Sequence, residues 1–152
     1  MKKVFFCMIA LVIMLASCRS NTSSTATNQE VDFQVANGYF FRNDKAVPER
    51  PIVITSQQVL EEYFGYAATM SAKPTQIDFT KQAALAIVLQ PTNVNTEIAV
   101  NSIVEHQNDT LLMNYSLSTG DSISYTIQPM AIVVISKENL LPNVEAKEAK
   151  AE

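Results

Sequence analysis

Thiol chemistry is nearly absent from this chain. Its two cysteines, Cys7 and Cys18, both lie within the first eighteen residues, so everything downstream is without a disulfide, a reactive thiol or a cysteine metal ligand. One histidine, His106, is too few for the usual zinc sites, and no D-x-D-x-D-G loop supplies the spaced oxygens of a calcium site. The three glycines, Gly38, Gly65 and Gly120, stand far apart, which excludes a glycine-rich phosphate cradle. Tryptophan is missing altogether. No metal and no cofactor is expected from such a set.

Long apolar runs are also scarce, and the one at the start is short. Lys2 and Lys3 precede an uncharged, mostly apolar stretch from Val4 to Leu15, followed by Ala16-Ser17. This is the order of an export signal, and it falls short of the roughly 20 residues needed to cross a bilayer. Leu15-Ala16-Ser17-Cys18 resembles the lipobox of bacterial lipoproteins. The resemblance implies cleavage before Cys18, acylation of Cys18, and residence in the bacterial envelope. Arg19, where an aspartate would signal retention, implies the outer membrane. Several acyl chains, at about 0.8 kcal/mol per buried CH₂, hold a protein firmly to a membrane. Without residues 1–17, nine of the 11 basic residues remain against 15 acidic ones, a net charge near −6. An acidic chain lacking a basic stripe has no basis for nucleic-acid binding.

Residues 18–30 are polar and read as a lipidated cysteine with a flexible tether, and residues 142–152 read as a polar tail. Between them, 31–141 forms one domain. Val31, Phe33 and Val35 alternate with polar residues, and Asn37-Gly38 then precedes Tyr39-Phe40-Phe41, which predicts a tight hairpin. Pro48 and Pro51 bracket a loop before Ile52-Val53-Ile54. The pattern then becomes helical: Val59, Leu60, Tyr63 and Phe64 share a face, Thr55 with Gln58 makes a capping box, and Gly65 is the expected stop. Residues 83–90, AALAIVLQ, and 130–136, MAIVVIS, read as strands buried on both faces. Residues 96–106 alternate with Ile98, Val100 and Ile103 inward, and Gln107-Asn108-Asp109 turns the chain into a second hairpin. Residues 91–96 and 118–122 read as loops. The whole predicts an α+β fold, a mostly antiparallel β-sheet with one main helix packed on one face.

Few residues offer catalysis. Gly120-Asp121-Ser122-Ile123 resembles the Gly-Asp-Ser-Leu block of a lipase and esterase family. That chemistry needs a histidine base downstream, and His106 lies upstream in a turn. Backbone turn chemistry accounts for the block. Glu61 and Glu62 are adjacent on the helix and do not face one another. Asp44 and Glu49 belong to an ordinary proline-containing loop. The expectation is therefore a protein without enzymatic activity, with hydrolysis through His106 and Ser122 ranked last. Asp109-Thr110-Leu111 and Asp121-Ser122-Ile123 resemble the short acceptor pattern of Bacteroidota O-glycosylation.

The aromatic residues are the better site. Tyr39, Phe40 and Phe41 are consecutive, so at least one points away from any single core face. With Tyr66 they form the candidate partner-binding patch. Finally, Ile77-Asp78-Phe79-Thr80-Lys81, the apolar strand after it, and Tyr125-Thr126-Ile127-Gln128-Pro129 before Ile132–Ile135 resemble the PrcB C-terminal-type domain over residues 57–136. That family implies a non-catalytic accessory subunit of a protease complex. Its Gly-Gly-aromatic turn after the first strand is replaced here by Gln90–Thr96. The chain is thus expected to be an envelope lipoprotein that binds a protein, which the family resemblance implies is a protease; the alternative is a protease inhibitor acting through loops 91–96 and 118–122.

Overall fold

The computed structural model describes residues 29–67 and 73–149. Cys18 and the expected export signal lie outside them. Nine strands and one α-helix follow in the order β1 (Phe33–Ala36), β2 (Tyr39–Phe41), β3 (Ile52–Ile54), α1 (Gln57–Tyr63), β4 (Phe64–Tyr66), β5 (Gln82–Val88), β6 (Thr92–His106), β7 (Thr110–Ile127), β8 (Met130–Ser136) and β9 (Asn143–Glu148). The fold is α+β with mostly antiparallel sheets, as the residue patterns predict. No described helix is long and apolar enough to cross a membrane.

A central four-stranded sheet runs β1-β8-β5-β3. Its inner strands are the two continuous apolar runs, and alternation sends their side chains to two separate cores. Ala84, Ala86, Val88, Ile132 and Val134 face one core, where Leu60 of α1 and Phe41 and Phe64 of the β2–β4 ribbon cover them. Ala83, Leu85, Ile87, Val133 and Ile135 face the other, beneath Ile103, Leu111, Met113 and Val144 of a second sheet ordered β6-β7-β9.

One long hairpin builds most of this. β5 pairs with β8 from Gln82↔Ser136 to Val88↔Met130, and β6 pairs with β7 from Thr92↔Ile127 to His106↔Thr110. The ribbon bends between these arms, and its outer half folds back over the inner half. The corner is legible in the register. From Thr96 to Thr92 β6 advances four residues, while β7 advances eight, from Thr119 to Ile127. The extra residues lie on β7, and unequal strand lengths of this kind bend a ribbon. Residues 92–96 and 118–122, expected as loops, are therefore paired strand at this corner, with Thr96↔Thr119 and Val94↔Ser122 in register. A further bulge between Val100 and Ser102 shifts the alternation by one, so that Val100 and Ile103, an odd spacing apart, both face the core.

Five other expectations are corrected. Asn37-Gly38 does not close a hairpin: β1 pairs with β8 and β2 with β4, so the turn passes the chain from one sheet to another. The helix is capped by Ser56, whose Oγ accepts the Val59 N–H at 3.3 Å; Thr55 is not its cap. Gly65 does not stop the helix, which ends at Tyr63, and Gly65 and Tyr66 belong to β4. The expected polar tail contains β9, parallel to β7, with Val144 buried in the core. At the other end, residues of the expected tether belong to the fold. The Glu105 N–H donates to the Gln29 carbonyl at 2.8 Å, and Glu30 bridges to Val104.

Ile77–Lys81 is the turn that launches β5. Asp78 Oδ1 accepts the Thr80 N–H at 3.0 Å and the Thr80 hydroxyl at 2.6 Å. These bonds hold its carboxyl below the ordinary aspartate value, and Lys81 adds to the shift. A carboxyl depressed on folding contributes stability above its unfolded pKa, about 3.9, and loses it as pH falls through the lower folded value. Urea midpoints are therefore expected to fall with acidification below about pH 4. Asp78→Asn makes that acid slope shallower, while an unchanged slope would show that Asp78 contributes nothing to it.

Candidate partner-binding surface

β2 and β4 are short, and their pairing decides where each aromatic goes. Tyr39 lies opposite Tyr66, Phe40 opposite Gly65, and Phe41 opposite Phe64. Directly opposed residues share a face, so Tyr39, Phe41, Phe64 and Tyr66 project to one side and Phe40 to the other. Phe41 is buried, with its ring edge-on to Phe64 at 5.7 Å and 70°. It is a core residue, and its expected role in partner binding is withdrawn.

Tyr39 is half-buried at the rim of the same core. Its hydroxyl donates to the Thr75 carbonyl, and burial, followed by neighbouring Tyr66, raises its pKa above the ordinary phenol value. Tyr66 is 47% exposed, its ring 5.7 Å from that of Tyr39, and its hydroxyl accepts the Gln57 side-chain N–H at 2.5 Å. Phe40 is 48% exposed and lies over Gly65, where a Cβ would collide with its ring. The absence of a side chain at 65 thus seats Phe40 flat on the ribbon. Beside them, Lys45 Nζ sits 5.5 Å from the Tyr63 ring centroid and 3.4 Å from Glu62 Oε1. Phe40 is thus exposed on one face of the ribbon and Tyr66 at the rim of the other, so the two do not form the single patch expected of them.

The other sequence candidates do not converge. His106 lies at the tip of the β6–β7 hairpin and Ser122 at its corner, twelve residues along β7 from Thr110, the partner of His106. At about 3.3 Å per residue that is on the order of 40 Å along the ribbon, far outside proton-transfer reach. Glu61 accepts from Gln57 at 2.6 Å, whereas Glu62 turns to Lys45. Asp44 is paired with Arg42 at 3.1 Å, and that hydrogen bond lowers its pKa. Of the two acceptor-like triplets, Thr110 is buried with its hydroxyl donating to the Asn108 carbonyl at 3.2 Å, while Ser122 is exposed. No group of three or more His, Cys, Asp and Glu comes together among the described residues.

Two exposed apolar residues were not singled out by sequence reasoning as surface features. Val35, 54% exposed, sits on the edge strand β1, and Tyr125, 64% exposed, sits on the ribbon corner. The irregular pairing that exposes Tyr125 depends on register, which residue alternation does not carry.

Comparison with protein-family models, characterised proteins and solved structures finds no match.

Proposed function

We propose that this chain is a non-catalytic envelope lipoprotein, anchored through lipid on Cys18 at the outer membrane, whose domain binds another protein as an accessory module. The observation that carries the binding role is Phe40. A phenyl ring left half in water and seated on a glycine is a ready anchor for a partner, because buried aromatics supply much of the energy of protein interfaces. The lipobox resemblance supports the anchor, and the PrcB-type resemblance points to a protease as the partner's class. Loop insertion into a protease cleft is not favoured, since residues 92–96 and 118–122 are engaged with each other in strand pairing.

Crosslinked pull-down from native envelope is expected to recover one reproducible partner with wild-type protein. The variant Phe40→Ser is expected to lose at least about 90% of it, as truncating a central aromatic anchor costs about 2 kcal/mol or more. Equal recovery by both proteins, with matched folding by circular dichroism, overturns the reading.

A further inference from the structure

The two larger sheets end in four edge strands, β1 and β3 of one, β6 and β9 of the other. An edge strand presents unpaired N–H and C=O groups that template pairing with another chain, and proteins blunt it with shortness, proline, charge or cover. Three of the four are blunted. β3 is three residues long and follows Pro51. β1 is four residues long and gives way to Asn37, whose N–H and carbonyl are both bonded to Thr75. β9 carries Glu145, Lys147 and Glu148 in six residues. β6 is different.

This strand is fifteen residues long. Its C-terminal end is covered, because the Ile103 carbonyl accepts the Val31 N–H and the Glu105 N–H donates to the Gln29 carbonyl, each at 2.8 Å. That pairing is antiparallel, so its upstream direction leads to His106 and off the end of β6, away from Thr96. From Thr92 to Asn101 no described strand other than β7 pairs with β6, and Glu97 is the only charged residue. Register shifts fall between Val94 and Thr96 and between Val100 and Ser102, so Thr96–Val100 is the regular part of the bare edge. Its length is that of an ordinary strand. Thr96, Ile98 and Val100 are half-buried on one face, while Glu97 and Ala99 are exposed on the other. Ile98 also shares a cleft of about 200 Å³ with Val35, 54% exposed on β1. The side that presents the bare edge thus presents apolar surface to water as well.

We propose that this edge pairs with its own copy: Thr96–Val100 of two chains join antiparallel about a two-fold axis at Ile98, making one six-stranded sheet from two of three. A two-fold contact uses the same patch on both sides, so the strand must suit itself. With Ile98 opposite Ile98, Thr96 meets Val100 and Glu97 meets Ala99. Directly opposed residues share a face, so the half-buried face of one strand continues that of the other. The charges agree with this register alone. Centring the axis on Glu97 sets two carboxylates directly opposite, which is destabilising. Centring it on Ala99 runs into the irregularity beyond Val100 within two residues.

The test is sedimentation velocity of the purified full chain over a range of concentrations. Non-ionic detergent keeps the apolar run at residues 4–15 from driving association of its own. Reversible monomer–dimer association is expected. Ala99→Glu sets a carboxylate opposite Glu97 twice per dimer and raises the dimer Kd about fivefold or more, whereas Ala99→Lys lowers it. The exchange Glu97→Lys with Ala99→Glu restores association. Position 99 is exposed and lies opposite Ser116 of β7, so these changes leave the folded chain intact. Phe40→Ser leaves the dimer unchanged, so this edge and the aromatic surface stand or fail separately. A chain that stays monomeric, or a dimer that Ala99→Glu and Ala99→Lys affect alike, overturns the proposal. Association lost in Phe40→Ser but kept in Ala99→Glu overturns it too, since the contact then lies on the aromatic ribbon.

Discussion

Leu85→Ala is expected to lower the unfolding free energy by about 3 to 5 kcal/mol, the upper part of the range for buried leucine truncation. Leu85 is fully buried in β5, between Val133 of β8 and Val53 of β3, and it projects into the core closed by the folded-back half of the hairpin. Its neighbours on the strand, Ala83, Ala84 and Ala86, are already small. Little side-chain volume is therefore at hand to fill the void, and hydrogen bonding to strands on both sides holds the backbone in place. Denaturant titration should show a lower midpoint with an unchanged slope, the mark of altered stability without loss of cooperativity. A loss under about 1 kcal/mol would mean that the two sheets are not packed against one another at this residue.

Gly38→Ala is expected to cost at least about 2 kcal/mol, for two reasons that add. Gly38 has φ +84°, a backbone conformation that disfavours any side chain. An alanine Cβ would also stand 2.7 Å from Pro74 Cα, a backbone atom that cannot swing away. The surroundings are tied down: Thr75 N–H donates to the Asn37 carbonyl, Asn37 N–H donates to Thr75 Oγ1 at 3.0 Å, and Ala67 N–H donates to the Gly38 carbonyl. The other glycines make a contrast. At Gly120 the nearest atom to an added Cβ is 3.5 Å away, so Gly120→Ala should fall within about 0.5 kcal/mol of wild type. At Gly65 the obstacle is the Phe40 ring, a side chain that can rotate off, so substitution there alters the aromatic surface more than stability. Thermal or urea unfolding of the three variants ranks them directly; a Gly38→Ala protein as stable as Gly120→Ala would refute the strained crossing.

The comparison of these glycines shows what residue pattern can and cannot carry. Asn-Gly at 37–38 does mark a site needing positive φ, and Gly38 adopts it. Which strands flank the turn is decided elsewhere, since β1 pairs with β8, a strand distant in sequence, with Phe33 opposite Ile135 and Val35 opposite Val133. The runs at 83–90 and 130–136 were legible as strands buried on both faces, since hydrophobicity without alternation has few other causes. The Gln107–Asp109 turn was legible as well, and Asn108 and Asp109 both take positive φ there. The fold-back was not. Its corner is rich in Thr, Ser and Asn, residues common in loops, and its pairing is set by bulges that leave no periodic trace. β9 escaped for a related reason: Val144 and Ala146 are its only inward apolar residues, and a charged edge strand looks like a tail.

The candidate site was half legible. Three consecutive aromatics guarantee that one leaves the core face, and Phe40 is that residue. That Phe41 is the buried one, and that Phe40 rests on Gly65, follows from the β2–β4 register alone.

The central claim, that this domain engages a partner through its aromatic ribbon, is tested most directly by photocrosslinking in intact cells. A photoactivatable aromatic residue replaces Phe40 in one strain and Asn93, exposed on β6, in another. A single discrete protein adduct from position 40, absent from position 93, is the predicted result. No adduct from position 40, or the same adducts from both positions, would contradict it.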